Sequence, residues 1–370
     1  MKIGFDGRYA EGDLVGIGKY IKYLTTGLSD RGIKVTIFYS KKPKYPILGK
    51  NISSRILYSI NRYIFEQIKL PKALKEEKVN VYHALGSIGV PWFCPIPAVL
   101  TVHDIIPLLI KDYFKYSKYK IISKFSYWFR LKTSLWKAKR VIADSEFTKK
   151  TLVEKLNTKP IKIKVIYLGA PEVNHKTNEL PQGLEPGKYI LNHGGIDIRK
   201  NLDRLIKAFA RVVSEIPELK LVITGENKNM EGGLKNQVRN LRIENSVIFP
   251  GYVEEEILWS LIRQANCVCY PSLIEGFGGP VLEGFAAGVP VITSNTSSLP
   301  EVAGDAALLV EPESEKEITQ AILGVTRDKK TRDMLIEKGK ERVKEFSWEK
   351  TAGETLKIYN DITGYIYNNT

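Results

Sequence analysis

Two carboxylates, Glu275 and Glu283, stand eight positions apart around a loop that contains glycines at 276, 278 and 279. A strand-like apolar run ends just before this loop, and Pro280 suits the first turn of a following helix, where its missing N–H costs nothing. Free N–H groups and the helix dipole at such a start favour an anion such as pyrophosphate. Because carboxylates repel phosphate, their natural partners are hydroxyl groups, and the segment indicates a nucleotide sugar as ligand.

Two adjacent cations, Arg199 and Lys200, follow a second glycine turn near the start of an apparent helix. An arginine can bind a diphosphate through two hydrogen bonds and a lysine adds a point charge, so the pair could neutralise a leaving nucleotide. The plainer alternative is a solvated helix start. The sequence contains no Asp-x-Asp triplet, so a metal-bound diphosphate has no obvious ligand set, and we expect neither a metal nor another cofactor.

Another apolar run ends at His103 and Asp104, and open α/β sheets bind ligands at the carboxyl ends of their strands. His103 could donate a hydrogen bond to a sugar hydroxyl or to a departing phosphate oxygen; alternatively, a loop carbonyl satisfies its ring. His83 has a similar position with weaker support. His175 and His193 are expected to be structural or surface groups.

A glycine loop with Gly16 and Gly18 opens a helix after the first predicted strand, with backbone N–H groups available to a phosphate. A Walker A loop would need glycine and a hydroxyl residue where Asp13 and Tyr20 stand. A dinucleotide-binding fingerprint would need a small residue in place of Ile21. A simple turn is the alternative to a phosphate-binding loop.

Short apolar, β-branched runs alternate with amphipathic stretches along the chain, with six strand-like runs in each half. This alternation predicts βαβ units and an α/β fold with mainly parallel sheets. Two such sets indicate two Rossmann-like lobes, with the polar segment 171–187 as the linker. A further helix is predicted from Phe346 onward.

The composition, 370 residues with 43% hydrophobic and 26% charged side chains, is typical of a soluble globular chain with two domains. No apolar run is long enough to span a membrane, and the first residues lack the plan of a signal peptide. The three cysteines, Cys94, Cys267 and Cys269, are expected to be buried thiols in a reducing cytoplasm.

The net charge of +15 is uneven, because residues 1–170 hold 32 Lys and Arg against 12 Asp and Glu, and residues 171–370 hold 24 against 29. The stretch 111–140 alone holds ten basic residues, one acidic residue and nine aromatic ones. Such a helix fits docking on an anionic membrane; nucleic-acid binding and a solvated helix with core aromatics are the alternatives. We favour membrane contact and expect no nucleic-acid partner.

The segment 270–292 and its continuation over 294–310 resemble the Glu-x7-Glu region of retaining glycosyltransferases of family 4, whose members adopt the GT-B fold. The resemblance implies an N-terminal acceptor-side domain over 1–170 and a nucleotide-sugar-binding domain over 171–345. A C-terminal helix within 346–370 is expected to cross back onto the first domain. The two lobes are expected to face each other across a cleft.

The resemblance also implies roles for single residues. It implies that Glu275 binds a hydroxyl of the transferred sugar and that Glu283 binds the ribose. It implies for His103 a catalytic contact with hydroxyl or phosphate oxygens. Arg199 and Lys200 would bind the diphosphate, and most family members have leucine where this chain has glycine at position 279. The other donor-site residues that it implies are Gly16, Gly18, Tyr252, Val253, Phe277, Gly278 and Gly279, with Lys19 and Asp104 on the acceptor side.

The implied reaction transfers a hexosyl group from a nucleotide diphosphate sugar to a hydroxyl of a glycan or lipid-linked glycan, with retention at the anomeric carbon. By resemblance the donor is GDP-mannose, followed by UDP- and dTDP-sugars. A nucleotide-sugar 2-epimerase, a phosphorylase and a basic nucleic-acid-binding protein are the alternatives. The expected location is the cytoplasm, peripheral at the inner face of the cell membrane.

Overall fold

The computed structural model describes residues 1–111, 113, 120–173, 177–225 and 230–364. It divides into two compact units: unit 1 comprises Met1–Gly169 and Ser347–Thr370, and unit 2 comprises Ala170–Phe346. Each unit contains one parallel β-sheet with helices between its strands. The predicted α/β class with two Rossmann-like sheets is therefore confirmed.

The sheet of unit 1 has seven strands. They are β1 (Lys2–Asp6), β2 (Lys34–Tyr39), β3 (Ile52–Ile56), β4 (Val81–Ala84), β5 (Ala98–Val102), β6 (Arg140–Ala143) and β7 (Ile163–Val165). Their order is β3-β2-β1-β4-β5-β6-β7, and every neighbouring pair is parallel. The central strands are almost continuously buried, as expected for a parallel sheet covered on both faces.

Strand β3 is missing from the sequence prediction, which placed only six strands in this half. Its sequence, Ile-Ser-Ser-Arg-Ile, has a polar centre with two exposed residues. Among the strands that the structure describes it pairs only with β2, at the edge of the sheet. Because an edge strand is not enclosed like the central ones, it does not need the apolar run on which the prediction depended.

The sheet of unit 2 has six strands, as predicted. They are β8 (Tyr189–Asn192), β9 (Lys220–Thr224), β10 (Val247–Gly251), β11 (Cys267–Tyr270), β12 (Val291–Ser294) and β13 (Leu308–Val310). The order is β10-β9-β8-β11-β12-β13, and all pairs are parallel.

The helices of the described residues complete the βαβ units. In chain order they are α1 (Ile17–Asp30), α2 (Arg62–Ile64), α3 (Leu70–Glu76), α4 (Ile106–Leu109), α5 (Lys120–Lys137), α6 (Glu146–Leu156), α7 (Leu202–Glu215), α8 (Glu231–Asn240), α9 (Glu255–Arg263), α10 (Gly279–Ala286), α11 (Leu299–Ala303), α12 (Glu315–Arg327), α13 (Lys329–Val343) and α14 (Trp348–Thr363). A π-helical segment, Phe65–Lys69, joins α2 to α3.

Helix α14 packs against α1 within unit 1. The ring of Trp348 stacks on Tyr23 with centroids 4.8 Å apart. In the same helix pair, a Cβ on Gly27 would lie 2.9 Å from the Cβ of Ala352. Glycine at position 27 therefore permits a helix contact that a larger residue would push apart.

In both sheets the strand order reverses beside the first strand, between β1 and β4 in unit 1 and between β8 and β11 in unit 2. At such a point the loops that follow the two neighbouring strands run in opposite directions and leave a crevice at the carboxyl ends, where open α/β sheets bind ligands. The fold of unit 2 therefore favours the loops after β8 and β11 as a ligand site.

Candidate active site

Two loops of unit 2 hold the predicted diphosphate-binding residues. The loop after β8 contains the short 3₁₀ turn Ile198–Lys200, and the loop after β11 leads into α10. The Nδ2 atom of Asn201 donates a hydrogen bond to the carbonyl of Pro271 at 3.0 Å, and the N–H of Leu273 donates to the carbonyl of Arg199 at 2.8 Å. These bonds hold the two loops in a fixed relation.

Glu275 lies between two cations. Its Oε1 accepts hydrogen bonds from Lys200 Nζ at 2.9 Å and from the Tyr270 hydroxyl at 2.7 Å, and its Oε2 accepts one from the guanidinium of Arg199. The Lys200 ammonium also lies 4.3 Å from the centroid of the Tyr270 ring, a cation–π geometry. The structure thus brings three predicted site residues into direct contact and adds Tyr270, which the sequence analysis did not assign to the site.

Burial and charge together set the protonation of this cluster. Burial opposes the charge of Lys200 and lowers its pKa from 10.5 to about 8, against the opposing effect of Glu275. For Glu275, burial acts to raise the pKa, but Lys200 and Arg199 outweigh burial and hold the pKa below its usual value. Near neutral pH Arg199 and Lys200 are both cations in contact with the Glu275 carboxylate, and the Asp197 carboxylate lies 3.9 Å from the Nε of Arg199. Two adjacent cations at this place suit a diphosphate.

Glu283, in helix α10, contacts a histidine from the loop after β8. His193 follows β8 directly, and its Nε2 lies 2.6 Å from Glu283 Oε2. His193 is buried, so the expectation of a structural or surface group missed its contact with a predicted site residue. Its position directly after a predicted strand was the signal in the sequence that could have identified it.

Helix α10 begins at Gly279 with Pro280 in its first turn, as predicted. The preceding residue, Gly278, has a φ of +116°, and a Cβ there would lie 2.8 Å from the side chain of Leu299. A Cβ at Gly279 would meet nothing within 4 Å, so this position faces open space. Phe277 is buried, and its ring meets that of Phe346 with centroids 5.9 Å apart.

Tyr252 and Val253, which the resemblance implies as donor-site residues, follow the edge strand β10, which is two strands away from β8. Gly251 makes the turn with a φ of +74°, and its carbonyl accepts a hydrogen bond from Thr224 Oγ1 at 2.6 Å. Tyr252 is exposed. Their role in donor binding stays a prediction.

In unit 1, His103 lies directly after β5, with both ring nitrogens engaged. Nδ1 is 2.6 Å from Asp144 Oδ2, and Nε2 is 2.8 Å from the carbonyl oxygen of Leu85. A carboxylate and a carbonyl are both acceptors, so the ring donates from both nitrogens and is protonated in this arrangement. Burial opposes that charge, but Asp144 outweighs burial and raises the pKa of His103.

The loop carbonyl considered as an alternative partner of His103 is thus present. Donation to a sugar hydroxyl from Nε2 requires the bond to Leu85 to be exchanged, and the catalytic role of His103 stays a prediction. Asp144 is a further residue that the sequence analysis did not assign; it follows β6, the neighbour of β5. Asp104 accepts a hydrogen bond from the N–H of Ile106 at 3.0 Å in the first turn of α4.

The predicted glycine loop of unit 1 precedes α1. Gly16 is the N-cap residue with a φ of +48°, and a Cβ at Gly18 would lie 2.9 Å from the carbonyl oxygen of Tyr9. Both positions therefore favour glycine for reasons of local structure, and phosphate binding there stays a prediction. Lys19 lies in the first turn of α1 and is partly buried.

His83 is an internal group of unit 1. Its Nδ1 lies 2.6 Å from the Tyr359 hydroxyl and its Nε2 lies 2.8 Å from Thr101 Oγ1. Burial lowers the pKa of His83 to about 3, so the ring is neutral. His175 lies outside the described residues.

The cysteines are free thiols. Cys267 and Cys269 are buried, as predicted, and burial raises the pKa of both, whereas Cys94 is only half-buried. Among the described residues, no group of three or more His, Cys, Asp or Glu side chains is placed to hold a metal ion. Within the same ranges no helix is long and apolar enough to cross a bilayer.

Comparison with known proteins identifies the class to which this fold and site belong. Several solved glycosyltransferases share the fold over nearly the whole chain. The complex of Anabaena HepE with UDP and glucose superimposes with a TM-score of 0.75 at 15% identity, covering 98% of this chain and 100% of HepE. WaaG, a glycosyltransferase of lipopolysaccharide biosynthesis, gives 0.73 at 15% identity, covering 99% and 100%. The fold is GT-B.

The sequence comparisons identify the family. Residues 15–172 match the family model described as Glycosyltransferase Family 4, and residues 174–342 match Glycosyl transferases group 1. The chain is 29% identical to the O-antigen chain mannosyltransferase B of Escherichia coli over 298 residues, which cover 78% of this chain and 76% of that protein. It is 35% identical to the MMP alpha-(1->4)-mannosyltransferase of Mycolicibacterium hassiacum over 167 residues, 43% of this chain and 39% of that one. The chain belongs to glycosyltransferase family 4 and is a glycosyltransferase.

Proposed function

We propose that the enzyme transfers a mannosyl group from GDP-mannose to a hydroxyl of a glycan or lipid-linked glycan, with retention at the anomeric carbon. The observation that carries this proposal is the contact of Arg199 and the buried Lys200 with the buried Glu275, beside the start of α10. The two cations are placed to bind the diphosphate of a donor. Relatives named mannosyltransferases favour mannose as the sugar.

In this proposal Arg199 and Lys200 stabilise the leaving diphosphate in place of a divalent ion. Glu275 positions a sugar hydroxyl. That hydroxyl has to share a carboxylate oxygen with the side chains that already donate hydrogen bonds to Glu275, such as Lys200 and Tyr270. Glu283 accepts from the ribose. A same-face displacement, in which the leaving phosphate takes the proton of the acceptor hydroxyl, is consistent with retention and needs no carboxylate nucleophile.

A donor screen tests the reaction. GDP-, UDP- and dTDP-sugars are incubated with and without glycan acceptors, and nucleotide release and product linkage are measured, with and without a chelator. We expect acceptor-dependent release from GDP-mannose, unchanged by the chelator, and a loss of about a hundredfold or more in Glu275→Ala. The exposed Glu337→Ala serves as the matched control.

Four results would contradict the proposal. Conversion of the donor without a transferred product would indicate an epimerase, and a requirement for inorganic phosphate would indicate a phosphorylase. Normal turnover in Glu275→Ala would remove the assigned role of the cluster. Nucleic-acid binding at physiological salt without any sugar transfer would favour the alternative class.

We further propose that unit 1 contacts an anionic membrane through the region that includes 111–140, at the inner face of the cell membrane. Residues 112 and 114–119 of that stretch lie outside the described residues. The described part, α5, belongs to a larger aromatic patch drawn from three segments. The aromatic patch consists of Tyr63, Trp92, Phe93, Phe125, Trp128, Phe129 and Trp136, all exposed.

Ring contacts and cations connect the aromatic patch. Phe129 meets Trp92 with centroids 6.1 Å apart, and Phe125 stacks on Trp128 at 5.8 Å. The ammonium of Lys137 lies 4.4 Å from the Trp136 ring. Exposed aromatic rings among lysines suit an anionic lipid surface, where each cation near the surface contributes about 1 kcal/mol.

Vesicle co-sedimentation tests this contact. Phe93 is 84% exposed, and Ile161, outside the aromatic patch in the same unit, is 87% exposed. We expect binding to anionic vesicles that weakens with salt, a loss of about tenfold in Phe93→Ser and no loss in Ile161→Ser. Binding that ignores lipid charge and salt, or equal losses in the two variants, would contradict the proposal.

A further inference from the structure

The contact between His193 and Glu283 joins the loop after β8 to helix α10, which follows the neighbouring strand β11 at the switch point of unit 2. The side chain of His193 is 2% exposed, whereas that of Glu283 is 25% exposed. The histidine is thus enclosed in the protein, and the carboxylate that it touches is open to solvent on another side. A buried histidine beside a partly exposed carboxylate is the arrangement expected when one side chain fixes the position of another that binds a ligand.

The proton on His193 can be placed from its surroundings. Nδ1 is buried and has no hydrogen-bond partner in the part of the chain that the structure describes. Nε2 faces Oε2 of Glu283 at 2.6 Å, and a carboxylate oxygen accepts. Nε2 therefore carries a proton and donates a hydrogen bond to Glu283.

The surrounding backbone fixes the ring at this place. His193 is followed by Gly194 and Gly195, with φ values of +97° and +95°, so the chain turns sharply directly after it. The preceding Asn192 donates a hydrogen bond from Nδ2 to the carbonyl of Cys269 at 2.8 Å, which ties the end of β8 to β11. His193 can therefore hold Glu283 in one orientation without moving itself.

We propose that His193 is a positioning residue, which orients Glu283 so that its carboxylate accepts hydrogen bonds from the ribose hydroxyls of the donor. The inference rests on the proposed function, because the ribose role of Glu283 belongs to it. His193 does not touch the donor; it removes the rotational freedom of a partly exposed glutamate before the ligand arrives. Its loss should therefore weaken recognition of the nucleoside and leave recognition of the diphosphate unchanged.

Calorimetric titration separates these two effects. The ligands are GDP and UDP, their 2′,3′-dideoxy counterparts, and inorganic pyrophosphate, and the proteins are the wild type, His193→Leu and His193→Gln. We expect the wild type to prefer the ribose form of the nucleotide it binds by about tenfold or more, as hydrogen bonds to a carboxylate allow. His193→Leu should lose most of this preference with unchanged pyrophosphate affinity, and His193→Gln, which keeps a side-chain N–H, should regain part of it.

Each other outcome counts against a defined statement. If the wild type binds neither nucleoside diphosphate, the proposed function is wrong, and so is the positioning role that rests on it. If it binds them without a preference for the ribose form, the role of Glu283 is wrong and so is that of His193. An unchanged preference in His193→Leu overturns the positioning role alone. Equal loss of pyrophosphate binding overturns it as well, because the effect would then be a general disturbance of the loops.

Discussion

We expect kcat/KM for the donor to fall at high pH, beginning close to the pH at which Lys200 loses its proton. Burial lowers the pKa of Lys200 to about 8, so a cation required for the diphosphate titrates within an accessible range. The pH dependence of kcat/KM reports groups of the free enzyme. We therefore expect kcat/KM for the donor to be level from about pH 7 to 8 and then to fall about tenfold per pH unit.

The size of the effect follows from the position of the charge. At about 4 Å from a phosphate oxygen, and with an effective dielectric constant of about 20, one positive charge contributes about 4 kcal/mol. The neutral form of Lys200 should therefore support little binding, and the fall should continue over at least about two pH units. Lys200→Arg keeps the charge at all these pH values, so its profile should lack this fall even if its overall rate is lower.

Deprotonation of Lys200 does not destabilise the folded protein, so unfolding linked to Lys200 does not cause the expected fall in kcat/KM. The pKa of its ammonium is lower in the folded protein than the ordinary 10.5, so between about pH 8 and 10.5 the folded state binds fewer protons than the unfolded state. Its contribution to stability therefore rises with pH in that window. A level kcat/KM up to about pH 10, or the same fall in Lys200→Arg, would refute the assignment.

Two further predictions concern unit 1. Gly27→Ala should lower the free energy of unfolding by about 1–3 kcal/mol, because its Cβ would lie 2.9 Å from that of Ala352, whereas Gly353→Ala on the same helix pair should raise it by about 0.5–1 kcal/mol. Urea titrations and hydrogen exchange in α1 and α14 measure both changes, and changes of the same sign in the two variants would contradict the contact. Asp144→Asn should lower the free energy of unfolding by about 3 kcal/mol at about pH 6 and by less at about pH 9. The raised pKa of His103 stabilises the folded state at pH values below 6.5, the pKa of the unfolded chain, and this contribution is lost as pH rises through the pKa of the folded protein. Unfolding measured at both pH values checks this, and a loss of stability that does not depend on pH would contradict it.

Much of the fold follows from local patterns in the sequence. Buried strands of parallel sheets are nearly continuous apolar runs, so twelve of the thirteen strands could be placed, and only the polar edge strand β3 was missed. Helix α1 could be predicted from its apolar stripe in the same way. The order of strands cannot be read locally, because it depends on which crossovers lie on which side of the sheet.

That missing strand order explains what could and could not be predicted of the site. Arg199 and Lys200 were assigned to a diphosphate and Glu275 to a hydroxyl, each from its own segment. Their mutual contact spans some 75 residues of sequence and exists because β8 and β11 are neighbours. The support of Glu283 by His193 has the same origin. Pairings that arise from adjacent strands distant in sequence become visible only when the sheet is assembled.

The charges around Glu275 are better explained by binding than by stability. A shift of the Lys200 pKa from 10.5 to about 8 corresponds to about 3 kcal/mol against keeping the ammonium charged at neutral pH. Replacing buried ion pairs by apolar residues of similar volume is often neutral or stabilising, so stability alone gives no reason to retain this cluster. A diphosphate placed beside Arg199 and Lys200 would add favourable contacts to both cations. We therefore expect the cluster to bind an anion, with Glu275 holding the two cations in position until the donor binds.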